Sequence, residues 1–408
     1  MKNYKINTIF DGFGAKRLSD VEINRKVSNQ HEFNGVTQFK ELFGEKRIDN
    51  IPAQFLYLTD EEDETVEDTG ELTWYDSREN HPTRSEYRLY YSDNDAIKSA
   101  STGDLLIIAR KSEILSAIVM IIKQGTTIEN QMIWLFGFGN ENLTEFYVKS
   151  FDPLRLENLD FASEMILEKI GIELPEKEDA FATALIEKYK NQFPKTRTFS
   201  EEIFNHLNKN KKIDLHDDPD AGISLLLQTE ETYFKIIEKG HIQKKISEGF
   251  KEVDEFISYS LSVQNRRKSR AGYAFENHLE TLFKFSGIKY DRGRETENNN
   301  KPDFIFPGIK EYKDTAFNSI YLSMLGVKTT CKDRWRQILP EADRIEKKHL
   351  ATTEPSISQK QTDQMEDKKV TLVIPLSLHR TYNDRQKKII ITVKDFLHHV
   401  LKNQELSG

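Results

Sequence analysis

Two short apolar runs in the last third of the chain, 304–306 and 320–327, leave little freedom for the fold around them. Both read as central strands. Asp303 opens the first run and Lys328 closes the second. On neighbouring strands of one sheet, this carboxylate and ammonium would sit side by side. That pairing can hold a divalent cation and a water against a phosphodiester. The spacing therefore predicts a metal-dependent nuclease core.

The surroundings agree with an α/β layer architecture. Residues 370–374 read as a further strand. Residues 271–285 read as an amphipathic helix with Phe275, Leu279, Leu282 and Phe283 on one side. Helices are expected after Lys328 and around 393–401. From 152 to about 263 the apolar spacing is helical, with breaks near Leu174-Pro175, Phe193-Pro194 and 217–222. The first 150 or so residues instead show short runs bounded by turn residues: 54–58, 86–91, 105–108 and 132–136. Such closely spaced strands favour a barrel or sandwich. The acidic run 60–68 between two of them reads as a solvated loop. A chain of 408 residues exceeds one efficient core. Two domains are expected, 1–175 and 176–408, the second with a helical lead-in over 176–263.

Composition excludes several classes. The longest nearly unbroken apolar stretch, 114–122, is too short for a membrane helix. The N-terminus leads into no apolar signal core, so a cytoplasmic protein is the expectation. One cysteine rules out a disulfide framework or a cysteine-rich zinc site. A net charge of −8 argues against nonspecific coating of nucleic acid, although local basic clusters at 266–270 and 332–336 can still contact phosphate. No phosphate loop of an ATP motor is present.

Asp303 is the leading ligand for Mg²⁺, which takes one or two carboxylates plus water and phosphate oxygen. Lys328 would orient the attacking water or stabilise developing phosphate charge. Nuclease cores of this kind usually carry a second acid two residues before the lysine; here that residue is Gly326. Glu341 is the obvious replacement. On an unbroken helix it would share a face with Asp333 and Gln337, which Pro340 complicates. Glu276 reads either as a solvent-facing helix carboxylate, with Glu280 one turn on as its surface partner, or as an acid that shares one metal ion or its water shell with Asp303.

Four ordered segments resemble the catalytic domain of EcoRII-type restriction endonucleases: 266–280 (RRKSRAGYAFENHLE), 301–307 (KPDFIFP), 327–342 (VKTTCKDRWRQILPEA) and 373–379 (VIPLSLH). The resemblance implies a PD-(D/E)xK, restriction-endonuclease-like α/β core in which Asp303, Lys328 and Glu341 carry catalysis. It also implies that an acid displaced to the following helix is the family's normal arrangement. It further implies DNA reading by Lys332, Asp333 and Arg334, a role that suits arginine on guanine and an acid on cytosine. Arg266, Arg267, Lys268 and Arg270 are expected to grip phosphates, or else to form a basic linker before the catalytic helix. Cys331 reads as inert, and His398 and His399 as packing or surface residues.

In the first domain, 16–19 (KRLS), 29–32 (NQHE) and 74–91 (WYDSRENHPTRSEYRLYY) look similar to the EcoRII effector domain. That likeness implies a mostly β pseudobarrel, akin to the "B three" domains of plant transcription factors, which binds a second copy of the site. Lys16, Arg17, Arg78, Asn80, Arg84, Ser85, Glu86 and Arg88 are the residues expected to meet DNA. The expectations that follow are a type II restriction endonuclease with Mg²⁺, cutting double-stranded DNA at a short site with CC and GG ends. A homodimer, control by effector DNA bound at the first domain, and a cognate DNA methyltransferase as functional partner are also implied. A DNA-binding regulator with an inactive core and a modification-dependent nuclease are the alternatives.

Overall fold

The computed structural model describes every residue except 1–8, 24–30, 34–35, 62–63, 112–114, 139–142, 152–160, 173–178, 191, 332–333, 356 and 408. The chain divides into two compact units, Met1–Leu174 and Pro175–Gly408.

Among the described residues, the first unit is built on eight strands: β1 (Phe10–Arg17), β2 (Glu32–Phe33), β3 (Ile48–Leu58), β4 (Val66–Asp76), β5 (Tyr87–Tyr91), β6 (Leu105–Lys111), β7 (Ala117–Ile122) and β8 (Tyr147–Ser150). They form one sheet in the order β2-β5-β4-β3-β7-β6-β1-β8. Pairing is antiparallel apart from β3 with β7. Strand period two sends alternate residues of β6 and β7 to two cores. Leu106, Ile108, Val119 and Ile121 join Trp74 and Phe55, together with Phe33 from one end of the sheet and Phe146 from beside the other. A core shared by both ends requires the sheet to curl, as expected of a pseudobarrel. Ile107, Ile118 and Met120 face the second core, with Met132 and Phe136.

Those last two residues correct a sequence expectation. The run 132–136 is not a strand but the end of helix α1 (Thr127–Phe136). Thr126 caps its N-terminus by accepting from the Glu129 amide, and Gly137 ends it in the left-handed region. A short apolar run does not itself distinguish strand from helix, and here the caps decide. A second helix, α2 (Phe161–Lys169), carries Ile166 and Leu167 into the same core.

The second unit opens with helices α3 (Ala180–Tyr189), α4 (Thr196–Lys209), α5 (Pro219–Glu248) and α6 (Val253–Phe285). The breaks between α3 and α4 and ahead of α5 fall where proline interrupts the helical pattern. Asp218 caps α5, with Pro219 in its first turn. Helix α6 runs 33 residues without interruption, so the basic cluster 266–270 is helix interior rather than linker.

A six-stranded sheet follows, made of β9 (Asp291–Arg292), β10 (Phe304–Phe306), β11 (Ser323–Val327), β12 (Lys348–Ala351), β13 (Val370–Val373) and β14 (Ile390–Ile391), and closed by helix α7 (Val393–Ser407). The order is β14-β13-β12-β11-β10-β9. Strands β11 to β14 are parallel, while β9 and β10 run antiparallel to their neighbours. Phe275, Leu279 and Phe283 of α6 pack with Phe304, Phe306, Leu325 and Val327, and with Phe396 and Val400 of α7. Helix α6 is thereby fixed against the strands that carry the charged residues. Among the described residues, no helix is long and apolar enough to cross a membrane.

Candidate active site at the ends of two antiparallel strands

The register of β10 and β11 creates the site. Phe304 pairs with Leu325, so Asp303, just before β10, falls beside the end of β11. Its Oδ2 accepts from the Val327 amide at 2.6 Å and from Lys328 Nζ at 3.0 Å. Both side chains stay accessible, at 20% and 15% exposure. Oδ1 of Asp303 has no hydrogen-bond partner among the described residues.

Gly326 is required by close packing. A Cβ built there would lie 2.6 Å from Ile338 Cγ2. Ile338 belongs to a 3-10 turn, Trp335–Ile338, and Trp335 and Ile338 are both buried. This turn stands where a helix was expected after Lys328. Gln337 and Glu341 therefore share no helix face. Four residues end the turn, and Ala342 then bends the chain in the left-handed region at φ +52°. Asp333 lies outside the described residues.

That bend presents Glu341 to the site. Its Oε2 is buried without a hydrogen-bond partner among the described residues. Burial first, then the negative charge of Asp303, pushes its carboxyl up to about 7, against the opposing pull of Lys328 and Lys348. The turn itself is tightly held. Lys348 Nζ donates to the carbonyls of Glu341 at 2.6 Å, Ile345 at 3.0 Å and Ala342 at 3.1 Å. Asn300 donates to the Pro340 carbonyl at 2.9 Å, and Glu297 accepts from the Asp343 amide at 3.3 Å. Replacing Lys348 with methionine keeps the buried stem but strips three carbonyls of their donor. The expected loss is on the order of 2–4 kcal/mol of unfolding free energy in urea titrations. Unchanged stability would mean that water replaces the ammonium at no cost.

Glu276 on α6 completes the group. Its Oε2 accepts from Arg292 Nη2 at 2.8 Å. Burial and the nearby Asp303 raise its carboxyl above the ordinary range. Glu280, expected at the surface, is buried and meets Arg292, Arg197, Lys284 and Tyr290. Sequence reading missed Arg292 altogether. The one available signal was its position beside Phe304, which appears only once β9 pairs with β10.

Two oxygens without partners, Oδ1 of Asp303 and Oε2 of Glu341, suit a hard divalent cation. Among the described residues, no three metal-ligating side chains are already gathered as a cage. Mg²⁺ does not need one, because it keeps several waters.

The other expected contacts divide. Arg270 is not placed to grip phosphate: it is 8% exposed, pairs with Glu230 at 3.2 Å and lies over the ring of Phe234. Arg266 stacks 3.9 Å over Phe193, and Arg267 meets the buried Glu238 at 2.5 Å while staying half exposed. Lys268 is exposed. Arg334, the last of the expected reading triplet, is exposed, while Lys332 and Asp333 lie outside the described residues. Cys331 is buried. His398 and His399 are on the surface of α7, with His399 Nε2 3.3 Å from Ser323 Oγ.

In the first unit, Lys16 is also misplaced for DNA. It is 6% exposed and bonded to buried Glu22 at 2.8 Å, because strand alternation turns it inward. Arg17 pairs with Glu129 and donates to the Gly103 carbonyl at 3.1 Å. The 77–86 loop is closed at its base: Asp76 Oδ1 accepts from the amides of Arg78 at 2.9 Å and Glu86 at 2.7 Å. Arg78, Asn80, Arg84 and Ser85 are exposed on it. Arg78 reaches Glu86 at 2.6 Å, and Arg88 bridges Glu86 and Glu32. His31 and Glu32 of the expected 29–32 motif are described, whereas Asn29 and Gln30 are not.

Comparison with known proteins places these residues in context. Residues 234–397 match the family model described as EcoRII C terminal. The type II restriction enzyme EcoRII of Escherichia coli is 41% identical over 214 residues, 52% of this chain and 52% of that protein. The type II restriction enzyme SsoII of Shigella sonnei is 28% identical over 151 residues, 34% of this chain and 48% of its own. The chain thus spans about half the length of these curated relatives. Two solved structures are also similar. Metal-depleted Ecl18kI in complex with uncleaved, modified DNA has a TM-score of 0.45 at 20% identity, covering 57% of this chain and 87% of that one. The restriction endonuclease PspGI–substrate DNA complex has a TM-score of 0.43 at 18% identity, covering 52% and 94%.

Proposed function

Because residues 234–397 match the family model described as EcoRII C terminal, we propose that this protein is a type II restriction endonuclease acting on double-stranded DNA. The observation that carries the reading is the Asp303–Lys328 pair beside the unpartnered Glu341 carboxylate, all within the family match. Asp303 and Glu341 would hold Mg²⁺. When bound, the ion would polarise a phosphoryl oxygen and make water more acidic. Lys328, with three donors and one bonded to Asp303, orients the attacking water and stabilises negative charge on the phosphate. The water oxygen forms the new bond to phosphorus, and the bond to the leaving sugar oxygen breaks in line.

Lys332, Asp333 and Arg334 would read bases at the CC and GG ends of the site, supported by the fit of arginine to guanine and an acid to cytosine. Exposed Arg267 and Lys268 suit phosphate. Cutting both strands at a near-palindrome calls for two-fold symmetry, hence a homodimer. The 77–86 loop and Arg88 of the first unit suit a second copy of the site, which would control cleavage. A cytoplasmic enzyme paired with a protecting methyltransferase fits this role.

The test is Mg²⁺-dependent cleavage of single-site and multi-site plasmids, methylated and unmethylated, with product ends sequenced and a site-bearing oligonucleotide added in trans. Discrete ends at one CC…GG sequence, stimulated by the oligonucleotide, are expected. Selective binding without cleavage would make the protein a DNA-binding regulator. Cutting of methylated DNA alone would make it modification-dependent.

A further inference from the structure

We infer that Arg292 is a positioning residue of the cation site, holding the Glu276 carboxylate toward Asp303 so that Glu276 faces the cation's water shell. The inference rests on the nuclease reading above. Arg292 is tied to the site from both sides. It pairs with Phe304 across β9 and β10, and the next amide, Gly293, donates to the Asp303 carbonyl at 3.0 Å. Its guanidinium lies 5.7 Å from the Phe304 ring centroid, so the strand that Asp303 immediately precedes also supports the base of the fork.

The fork then spans one face of α6. Nη2 donates to Glu276, while Nη1 donates to Glu280 Oε2 at 2.6 Å and Asn277 Oδ1 at 2.9 Å. Residues 276 and 280 are neighbours at i, i+4 spacing, so one planar guanidinium reaches both without distortion.

The two acids depend on it unequally. Glu280 also has Arg197 at 2.9 Å, Tyr290 at 3.1 Å and Lys284 at 3.3 Å. Glu276 has Arg292 as its only hydrogen-bond partner among the described residues. Without the guanidinium, a largely enclosed carboxylate would face the like charge of Asp303 with nothing to hold it there. It would turn to solvent, and Glu276 would no longer face the cation's water shell. Lys328 does not substitute, because its ammonium is engaged by Asp303 and is needed at the phosphate. Arg292 therefore separates two tasks: it balances charge on the helix side, and Lys328 acts on the strand side.

The experiment is a double-mutant cycle on the full chain with Arg292→Met, Glu276→Gln and both together, plus Arg292→Lys. Mg²⁺ binding is measured by calorimetry without DNA, and the Mg²⁺ concentration for half-maximal cleavage is followed separately from the maximal rate. Arg292→Met should weaken Mg²⁺ binding about tenfold, the lower end of what losing an outer-shell interaction costs. Arg292→Lys should recover part of it, and the double variant should bind no worse than Glu276→Gln alone. Losses that multiply in the double variant, or unchanged Mg²⁺ binding, would overturn the inference. Should the methionine variant fail to fold, Arg292→Lys alone and combined with Glu276→Gln gives the same cycle. A wild-type protein that neither binds Mg²⁺ nor cuts DNA would instead sink the nuclease reading itself.

Discussion

Replacing Lys328 with methionine is expected to lower the maximal rate of DNA cleavage roughly 100- to 1,000-fold, the range seen when one donor to a developing charge is removed. That corresponds to about 3–4 kcal/mol of transition-state stabilisation. Methionine keeps most of the stem that fills the space between β11 and Asp303, so folding should survive. The Val327 amide still donates to Asp303, and the carboxylate keeps its place without the ammonium. Mg²⁺ binding should then persist, or strengthen once the competing cation is gone, while turnover collapses. Single-turnover cleavage at saturating Mg²⁺, beside calorimetric Mg²⁺ binding, separates these effects. Parallel loss of rate and binding would mean that Lys328 mainly organises the site. Full activity in the variant would remove Lys328 from the chemistry.

The adjacency of Asp303 and Lys328 was legible in the sequence because it depends only on local pattern: two apolar strands, one charged residue at each relevant end. Glu341 could be named from the segment after Lys328, and the resemblance supported its role, but how it reaches the site was not legible. Its placement depends on Ile338 filling the space above Gly326 and on a left-handed residue at Ala342, and neither leaves a periodic trace. The same limit explains Lys16 and Arg270. A basic residue within a charged motif reads as exposed until its partner is known. Those partners, Glu22 and Glu230, become neighbours only through the fold. Residues 132–136 failed differently, since five apolar residues satisfy strand and helix templates alike, and the deciding caps lie outside the run. Arg292 was invisible because β9 is two residues long and carries no apolar signal.

Mg²⁺ affinity should rise with pH through about 7, and Glu341 should be the reason. Its carboxyl, ordinarily near 4.5, stands at about 7 because burial and Asp303 both oppose its charge. In the metal-free protein it is therefore mostly protonated at about pH 6 and mostly ionised at about pH 8. The stability sign follows. The folded state holds this proton more tightly than the unfolded chain, so this group's contribution falls as pH rises from about 4.5 to about 7 and then levels. A divalent cation reverses the preference, because it binds the ionised form and displaces the proton. Apparent Mg²⁺ binding should thus tighten about tenfold between about pH 6 and about pH 8, the ratio for release of one proton from a group near 7. Calorimetry near pH 6 in two buffers of different ionisation enthalpy counts that proton directly. Glu341→Gln should bind Mg²⁺ more weakly throughout and lose most of the pH slope. If the slope survives in that variant, the proton comes from another acid of the site. Glu276, also raised by burial and Asp303, is then the group to replace next.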